Sequence, residues 1–302
     1  MILVTGSEGL IGRHVVLRLE AAGHDVRRFD IRRSVVEDTR STVALIDALK
    51  GVTGVVHLAA ISRVQRAEAD PQACDATNVA ALQDLLALCL GRPRRPWVVF
   101  VSSREVYGAQ AVLPVPEEAC LDPINVYARS KVAGEALIKL ASAAGLMTNI
   151  CRLSNVYGCP LDHPDRVVVA FAAVAARGGV MRMDGPDCQF DFTAVDDVAD
   201  GLSRLIEASV AGEQLPPVHL VTGQGTTLRE LAGLAAGLAN QPVQIIQAAA
   251  RSYDVSRFVG DPTRARALLG WEASTDVSTG LSNLASAFRA QGAAPPNGLP
   301  RQ

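Results

Sequence analysis

The chain has 302 residues, 49% of them hydrophobic and 20% charged, enough to bury a substantial core in one large or two interlocked domains. A formal net charge of −2 gives no basic field for nucleic acid, and no unbroken apolar stretch reaches bilayer length, so neither a nucleic-acid nor a membrane partner is expected. Strand-like residues begin at Ile2, leaving no room for a signal segment, and the six cysteines (Cys74, Cys89, Cys120, Cys151, Cys159, Cys188) form neither a C-x-x-C pair nor a metal-like cluster. A cytoplasmic location, reduced packing cysteines and no metal site are expected.

In chain order, short apolar runs at 2–5, 25–30, 55–58, 98–103 and 147–153 read as buried strands. Amphipathic stretches at 11–22, 78–90 and 126–144 read as the helices between them, the first ending at Gly23, a left-handed cap. Helix-length spacing between apolar strands means βαβ units, hence a parallel sheet and an α/β fold. Beyond about residue 155 the pattern is less regular, with helices expected at 195–209, 228–239 and 262–269 and a returning strand at 219–222. Residues 296–302 read as a frayed tail.

The run Gly6-Ser7-Glu8-Gly9-Leu10-Ile11-Gly12 follows the first strand and opens the first helix. In that context glycines let backbone approach a pyrophosphate, which the positive end of the helix then attracts. A tight turn without a ligand is the competing reading. Asp30 closes the second strand, where a carboxylate can accept hydrogen bonds from the adenosine ribose, favouring NAD over NADP. Arg32 and Arg33 follow and would suit a 2′-phosphate instead, while Asp38 lies where a loop could reach the adenine.

Tyr127 and Lys131 are four residues apart in a helical segment and share a face. A nearby ammonium, joined by the charge of an oxidised nicotinamide, would lower the tyrosine pKa and make it an acid-base group. A surface tyrosine beside a solvated lysine is the alternative.

Five segments in this order, Gly6 to Gly12, His57-Leu58-Ala59-Ala60, Ser102-Ser103-Arg104-Glu105-Val106-Tyr107-Gly108, Tyr127 to Lys131 and Asn155-Val156-Tyr157-Gly158, resemble the NAD-dependent epimerase/dehydratase family of extended short-chain dehydrogenases. The resemblance implies a Rossmann-like doubly wound sheet formed by residues 1–155 and 191–224, and a smaller α/β substrate-binding domain from 156–190 and 225–295. It implies NAD held by Gly6, Glu8, Gly9, Leu10, Ile11, Gly12, Asp30, Asp38, Leu58, Ala59 and Ala60, with Tyr127 and Lys131. It also implies that Ser103 bonds the reacting hydroxyl, that Tyr127 takes its proton, that Lys131 holds the nicotinamide ribose, and that Asn78 is a structural residue. A homodimer formed through the helices at 78–90 and 126–144 follows from the same likeness.

A nucleotide-sugar substrate is implied by Asn155, which matches a position that contacts the diphosphate, and by Arg251 and Asp254, which resemble the family's late R-x-x-D. The arginine that usually precedes the Asp-Phe of G-D-G…R-D-F is absent: the chain reads Met183-Asp184-Gly185-Pro186-Asp187-Cys188-Gln189-Phe190-Asp191-Phe192, leaving Arg182 as a substitute. Glu105, two residues after Ser103, would lie on the same side of an extended backbone. There it could act as a second base for elimination, or merely pair with Arg104. The aspartic acid that precedes this glutamate in hexose 4,6-dehydratases is Arg104 here. Epimerisation at C4 is therefore the expected reaction, with dehydration, 4-keto reduction and a non-catalytic cofactor sensor as alternatives.

Overall fold

Residues 1–251 and 255–291 are described, in a computed structural model. Strands β1 (Ile2–Thr5), β3 (Gly54–His57), β4 (Trp97–Ser103) and β5 (Thr148–Leu153) are buried at every residue, as continuous apolar runs demand when helices cover both faces of a sheet. With β2 (Val26–Phe29) and β9 (Val218–Leu220) they form one six-stranded sheet, ordered β2-β1-β3-β4-β5-β9 and parallel throughout. The chain runs outward from β1 to β2, then crosses to β3. That reversal opens a crevice at the C-terminal ends of β1 and β3, where such sheets bind ligands.

One face is covered by α1 (Leu10–Ala21) and α8 (Val195–Val210), which bury Val15, Val16 and Leu19 with Val198, Leu202 and Leu205. Helix α1 stops where Gly23 takes a φ of 87°, as its cap position required. On the other face lie α2 (Thr42–Ala48), α5 (Ala81–Leu90) and α6 (Val126–Ala143), whose Leu45, Leu82, Leu85 and Ile138 share one core cluster with Phe100 of the sheet. Each such side chain taken fully from water contributes about 1.5–3 kcal/mol, so these layers hold the sheet rigid beneath the crevice.

Three expectations are corrected. The helix expected from 78 begins earlier: α3 (Val64–Ala69) and α4 (Pro71–Asp75) precede it, and a π turn over Ala76–Ala80 joins α4 to α5. Asp70 accepts from the Ala73 N–H with Pro71 in the first turn, a start signal the sequence contains. Within the resulting 20-residue run Pro71–Leu90, an 18-residue window has a mean hydropathy of 1.2, so one segment does reach membrane-spanning length and apolarity. Leu82, Leu85, Leu86 and Cys89 within it are buried in the core of the protein itself. The packing role of the cysteines holds for four of six, since Cys120 is exposed and Cys159 is half-buried; all are free thiols.

A second layer system is built from β6 (Asn155–Tyr157), α7 (Val167–Arg177), β7 (Gly179–Asp184), β8 (Gln189–Ala194), β10 (Gly225–Thr227), α9 (Leu228–Gly237), β11 (Val243–Ala248), β12 (Arg257–Phe258) and α11 (Val277–Ala290), with α10 (Thr263–Leu269) packed back against α8. Strand β8 pairs with β6, β10 and β12, and β7 pairs with β11. A separate core of Phe171, Met181, Phe192, Leu231 and Phe288 holds these elements together. Helix α7 opens on Val167-Val168-Val169 with no side-chain cap, so neither its composition nor its boundary marks it as a helix.

Candidate active site

The glycine loop sits at the end of β1, in the crevice. A Cβ at Gly12 would lie 2.1 Å from the Gly6 carbonyl oxygen, and one at Gly6, where φ is 72°, would meet the Ala59 nitrogen at 2.7 Å. Gly9 is the N-cap of α1 and offers no side-chain bond, so the helix N-terminus keeps its donors for a ligand. Leu10 and Ile11 begin that helix, and Glu8 pairs with Arg13 at 3.2 Å. Ser7 Oγ is buried and has no partner among the described residues. A cradle with no room for Cβ atoms, an uncapped helix end and an orphaned hydroxyl fit a pyrophosphate.

Asp30 is nearly buried. Its two oxygens accept from the backbone N–H groups of Glu8 (3.0 Å) and Arg32 (2.8 Å), which ties β2 to the glycine loop and still leaves lone pairs for ribose hydroxyls. Arg33 is engaged by Glu37 at 3.2 Å. Asp38 is held by Arg40 at 2.6 Å, which keeps its carboxyl below the ordinary range. Leu58, Ala59 and Ala60 leave β3 beside Gly6, with the Leu58 and Ala59 N–H groups donating to Thr5.

Asn78 lies in the π turn of the long helical run, well past its start. It accepts from the Ile61 N–H (2.8 Å) and donates to the Ile61 carbonyl (3.1 Å) and to Ser130 Oγ (2.9 Å). Ser130 in turn donates to the Tyr127 carbonyl at 2.8 Å. One amide thus joins the loop after β3 to the helix that carries the proposed base.

Strand β4 delivers Ser103 and α6 delivers Tyr127 and Lys131, the last two one helical turn apart. Lys131 Nζ donates to the Val101 carbonyl at 2.8 Å and lies 5.9 Å from the Tyr127 ring centre. Burial pulls Lys131 down to about 8. It pushes Tyr127 up to about 12, opposed by a hydrogen bond with Ser103 and by the charge of Arg166 and reinforced by the charge of Glu105. The expected lowering of the tyrosine is therefore not a property of the protein alone: desolvation of the phenolate outweighs the neighbouring cations.

The backbone after Ser103 is a single 3-10 turn over Arg104–Tyr107, not an extended strand, because the Ser103 hydroxyl caps it by accepting from the Glu105 N–H at 3.2 Å. Glu105 is buried. Its Oε1 pairs with Arg104 at 2.8 Å, and its Oε2 accepts from Asn125, the N-cap of α6, at 2.9 Å. Arg104 also donates from Nε to Asn155 Oδ1 at 3.3 Å, and its guanidinium lies 4.8 Å above the centre of the Phe190 ring. Ser103, Tyr127, Lys131, Glu105, Arg104 and Asn155 are thereby linked in one group.

Arg182 and Arg251 form another, each pairing with Asp184 at 2.8 Å, and Arg182 is largely exposed. Asp254 lies outside the described residues. The contributions of Asn125 and Arg166 were not anticipated. An Asn three residues ahead of a helical N–H is a readable cap signal, whereas nothing near Arg166 in the chain marks it.

A family model described as the NAD dependent epimerase/dehydratase family matches residues 2–220. UDP-glucose 4-epimerase of Mycolicibacterium smegmatis is 30% identical over 95% of this chain and 98% of its own length. The solved structure of MoeE5 in complex with UDP-glucuronic acid and NAD superposes with a TM-score of 0.88 at 29% identity, covering 96% of this chain and 99% of that one. DesIV, the dTDP-glucose 4,6-dehydratase of Streptomyces venezuelae solved with NAD, gives 0.84 at 26% identity, over 96% and 97%. With a matched model spanning most of its length and a relative alike from end to end, the chain belongs to the NAD-dependent epimerase/dehydratase family.

Proposed function

We propose that this protein is an NAD-dependent sugar-nucleotide 4-epimerase. The observation that carries the choice within the family is the state of Glu105: both its oxygens are engaged, by Arg104 and Asn125, and the acid that elimination requires is replaced by the Arg104 guanidinium. Ser103, Tyr127 and Lys131 form the set that C4 oxidation needs.

Ser103 would orient the C4 hydroxyl and Tyr127 would remove its proton, while the Lys131 ammonium, fixed by the Val101 carbonyl, would hold the nicotinamide ribose. When bound in this crevice, NAD would supply a reversible hydride acceptor for C4, so that a transient 4-keto sugar can be reduced again from its other face. Tyr127 then gives the proton back, so sugar and cofactor end in their starting oxidation states. Asp30 would bind the adenosine ribose, and Gly6, Gly9 and Gly12 with the α1 terminus would bind the pyrophosphate. Asn155, Arg182 and Arg251 are proposed for the substrate's diphosphate.

A cytoplasmic homodimer belongs to the same reading. Its support is the set of free thiols, which suits a reducing compartment, and the exposed Leu140 on α6. Glu105 still lies close enough to influence the Tyr127 charge, so dehydration is the second reading.

The test is incubation of purified protein and NAD with a panel of sugar nucleotides in deuterated water. An isomer of unchanged mass, free of carbon-bound solvent deuterium, is expected. Loss of water with deuterium uptake would establish a dehydratase, and reduction of a 4-keto sugar nucleotide in a parallel incubation with NADH in place of NAD would establish a reductase.

A further inference from the structure

Arg104 has one conspicuous loose end. Its side chain is buried; Nη2 is taken by Glu105 Oε1 and Nε by Asn155 Oδ1, but Nη1 has no hydrogen-bond partner among the described residues. A buried guanidinium donor left unsatisfied costs stability, and such a group in a native fold calls for a ligand or a role. The guanidinium is flanked by Phe190 at 4.8 Å and Phe258 at 5.9 Å, rings that fix its plane and offer no acceptor.

We infer that Arg104 reads an oxyanion on the sugar of the substrate, so that a sugar nucleotide bearing a carboxylate on its hexose is the preferred substrate class. This rests on the epimerase reading above. The sugar is favoured over the diphosphate because Arg104 follows Ser103 directly, and Ser103 is hydrogen-bonded to Tyr127; this is the reacting end of the site. The pair around Asp184, Arg182 and Arg251, supplies other cations for phosphate. An anion is favoured over a neutral hydroxyl because the one unpaired nitrogen, Nη1, belongs to a charged guanidinium and gives an oxyanion a charge-assisted hydrogen bond. The nearby Glu105 does not forbid it, since both its oxygens are turned to protein donors. The Phe190 position, where the family arginine is missing, thus supports a cation delivered from another element.

The experiment compares kcat/KM for UDP-glucuronic acid and UDP-glucose in the wild type, Arg104→Met and Arg104→Lys. Methionine keeps an apolar stem against Phe190, and lysine keeps the charge beside Glu105 but not the fork. The wild type should prefer UDP-glucuronic acid. The ratio of the two specificity constants should fall about 10- to 100-fold in Arg104→Met, the effect of one charge-assisted hydrogen bond, and by less in Arg104→Lys. An unchanged ratio, whether both substrates suffer equally or neither does, overturns the proposal. If Arg104→Met fails to fold, the ratio in Arg104→Lys decides alone. If the wild type converts neither compound, the panel above decides on the epimerase reading, and titration calorimetry of the same two nucleotides decides on Arg104, with a loss of affinity confined to UDP-glucuronic acid supporting it and a uniform change overturning it.

Discussion

The two ends of the proposed site are made of different material. At the cofactor end, recognition is built mostly from backbone, glycines without room for a Cβ and an uncapped helix terminus, with one side-chain carboxylate that already braces the loop. These parts lie within the first 30 residues, closed on one side by Leu58 and Ala59. At the substrate end it is built from side chains drawn from distant places: Arg104 against Phe190, Asn155 beside Arg104, and Arg182 with Arg251 across Asp184. Backbone cradles are set by local spacing and tolerate little change, whereas side-chain sites can be rewired one residue at a time while the fold persists.

Between the two ends sits Tyr127, and the largest expected effect is there. Tyr127→Phe should lower turnover by about two to four decades, as loss of a general base does, with an unchanged melting temperature. Near-normal turnover, measured with whichever sugar nucleotide the wild type converts, would remove the mechanism. Next comes the rigidity of the cradle. In Gly12→Ala the new methyl would sit 2.1 Å from the Gly6 oxygen, so the loop must move. Overpacking of this kind costs about 1–3 kcal/mol, which should weaken NAD about 10- to 100-fold in a fluorescence titration. Unaltered affinity would show that the loop is not the pyrophosphate site.

Asp30→Ala should weaken NAD about tenfold and NADP less, since the ribose diol is the group that distinguishes them. If wild-type protein prefers NADP, Arg32 becomes the discriminating residue. The smallest effect is expected at Asp38. Its exposed pairing with Arg40 contributes roughly 0–1 kcal/mol to stability, and Asp38→Asn should leave NAD affinity within about twofold. A larger loss would support an adenine contact at Asp38.

This contrast also explains what could be read from the chain. The parallel sheet was legible because β1 and β4 are mostly apolar and β3 and β5 carry apolar cores, spaced by helix-length segments as a doubly covered sheet requires. The glycine loop and the Tyr127–Lys131 spacing were legible because their geometry is local. The turn at Arg104 was not: its direction depends on Ser103 capping its own successor, and an extended continuation of β4 fits the same letters. Nor was the elevated Tyr127 pKa, which depends on burial contributed by the whole fold. Helix α7 and strands β7 and β8 escaped notice because their partners, α11, β11 and β6, are supplied by remote segments.

The Asn78 amide has a mechanical consequence. Because it grips both backbone groups of Ile61 and reaches Ser130, which holds the Tyr127 carbonyl, the loop leaving β3 and the first turns of α6 have no independent freedom. Compliance to admit a dinucleotide is expected instead from the opposite bank, the segment 31–41 after β2, where Val35 and Val36 stand exposed and, apart from the Arg32 bond to the Glu8 carbonyl, the bonds are short-range turns and ion pairs. In Asn78→Ala the base would be released from the frame that indexes it to the cofactor. Such an enzyme should lose the alignment of proton and hydride transfer before it loses affinity for either ligand.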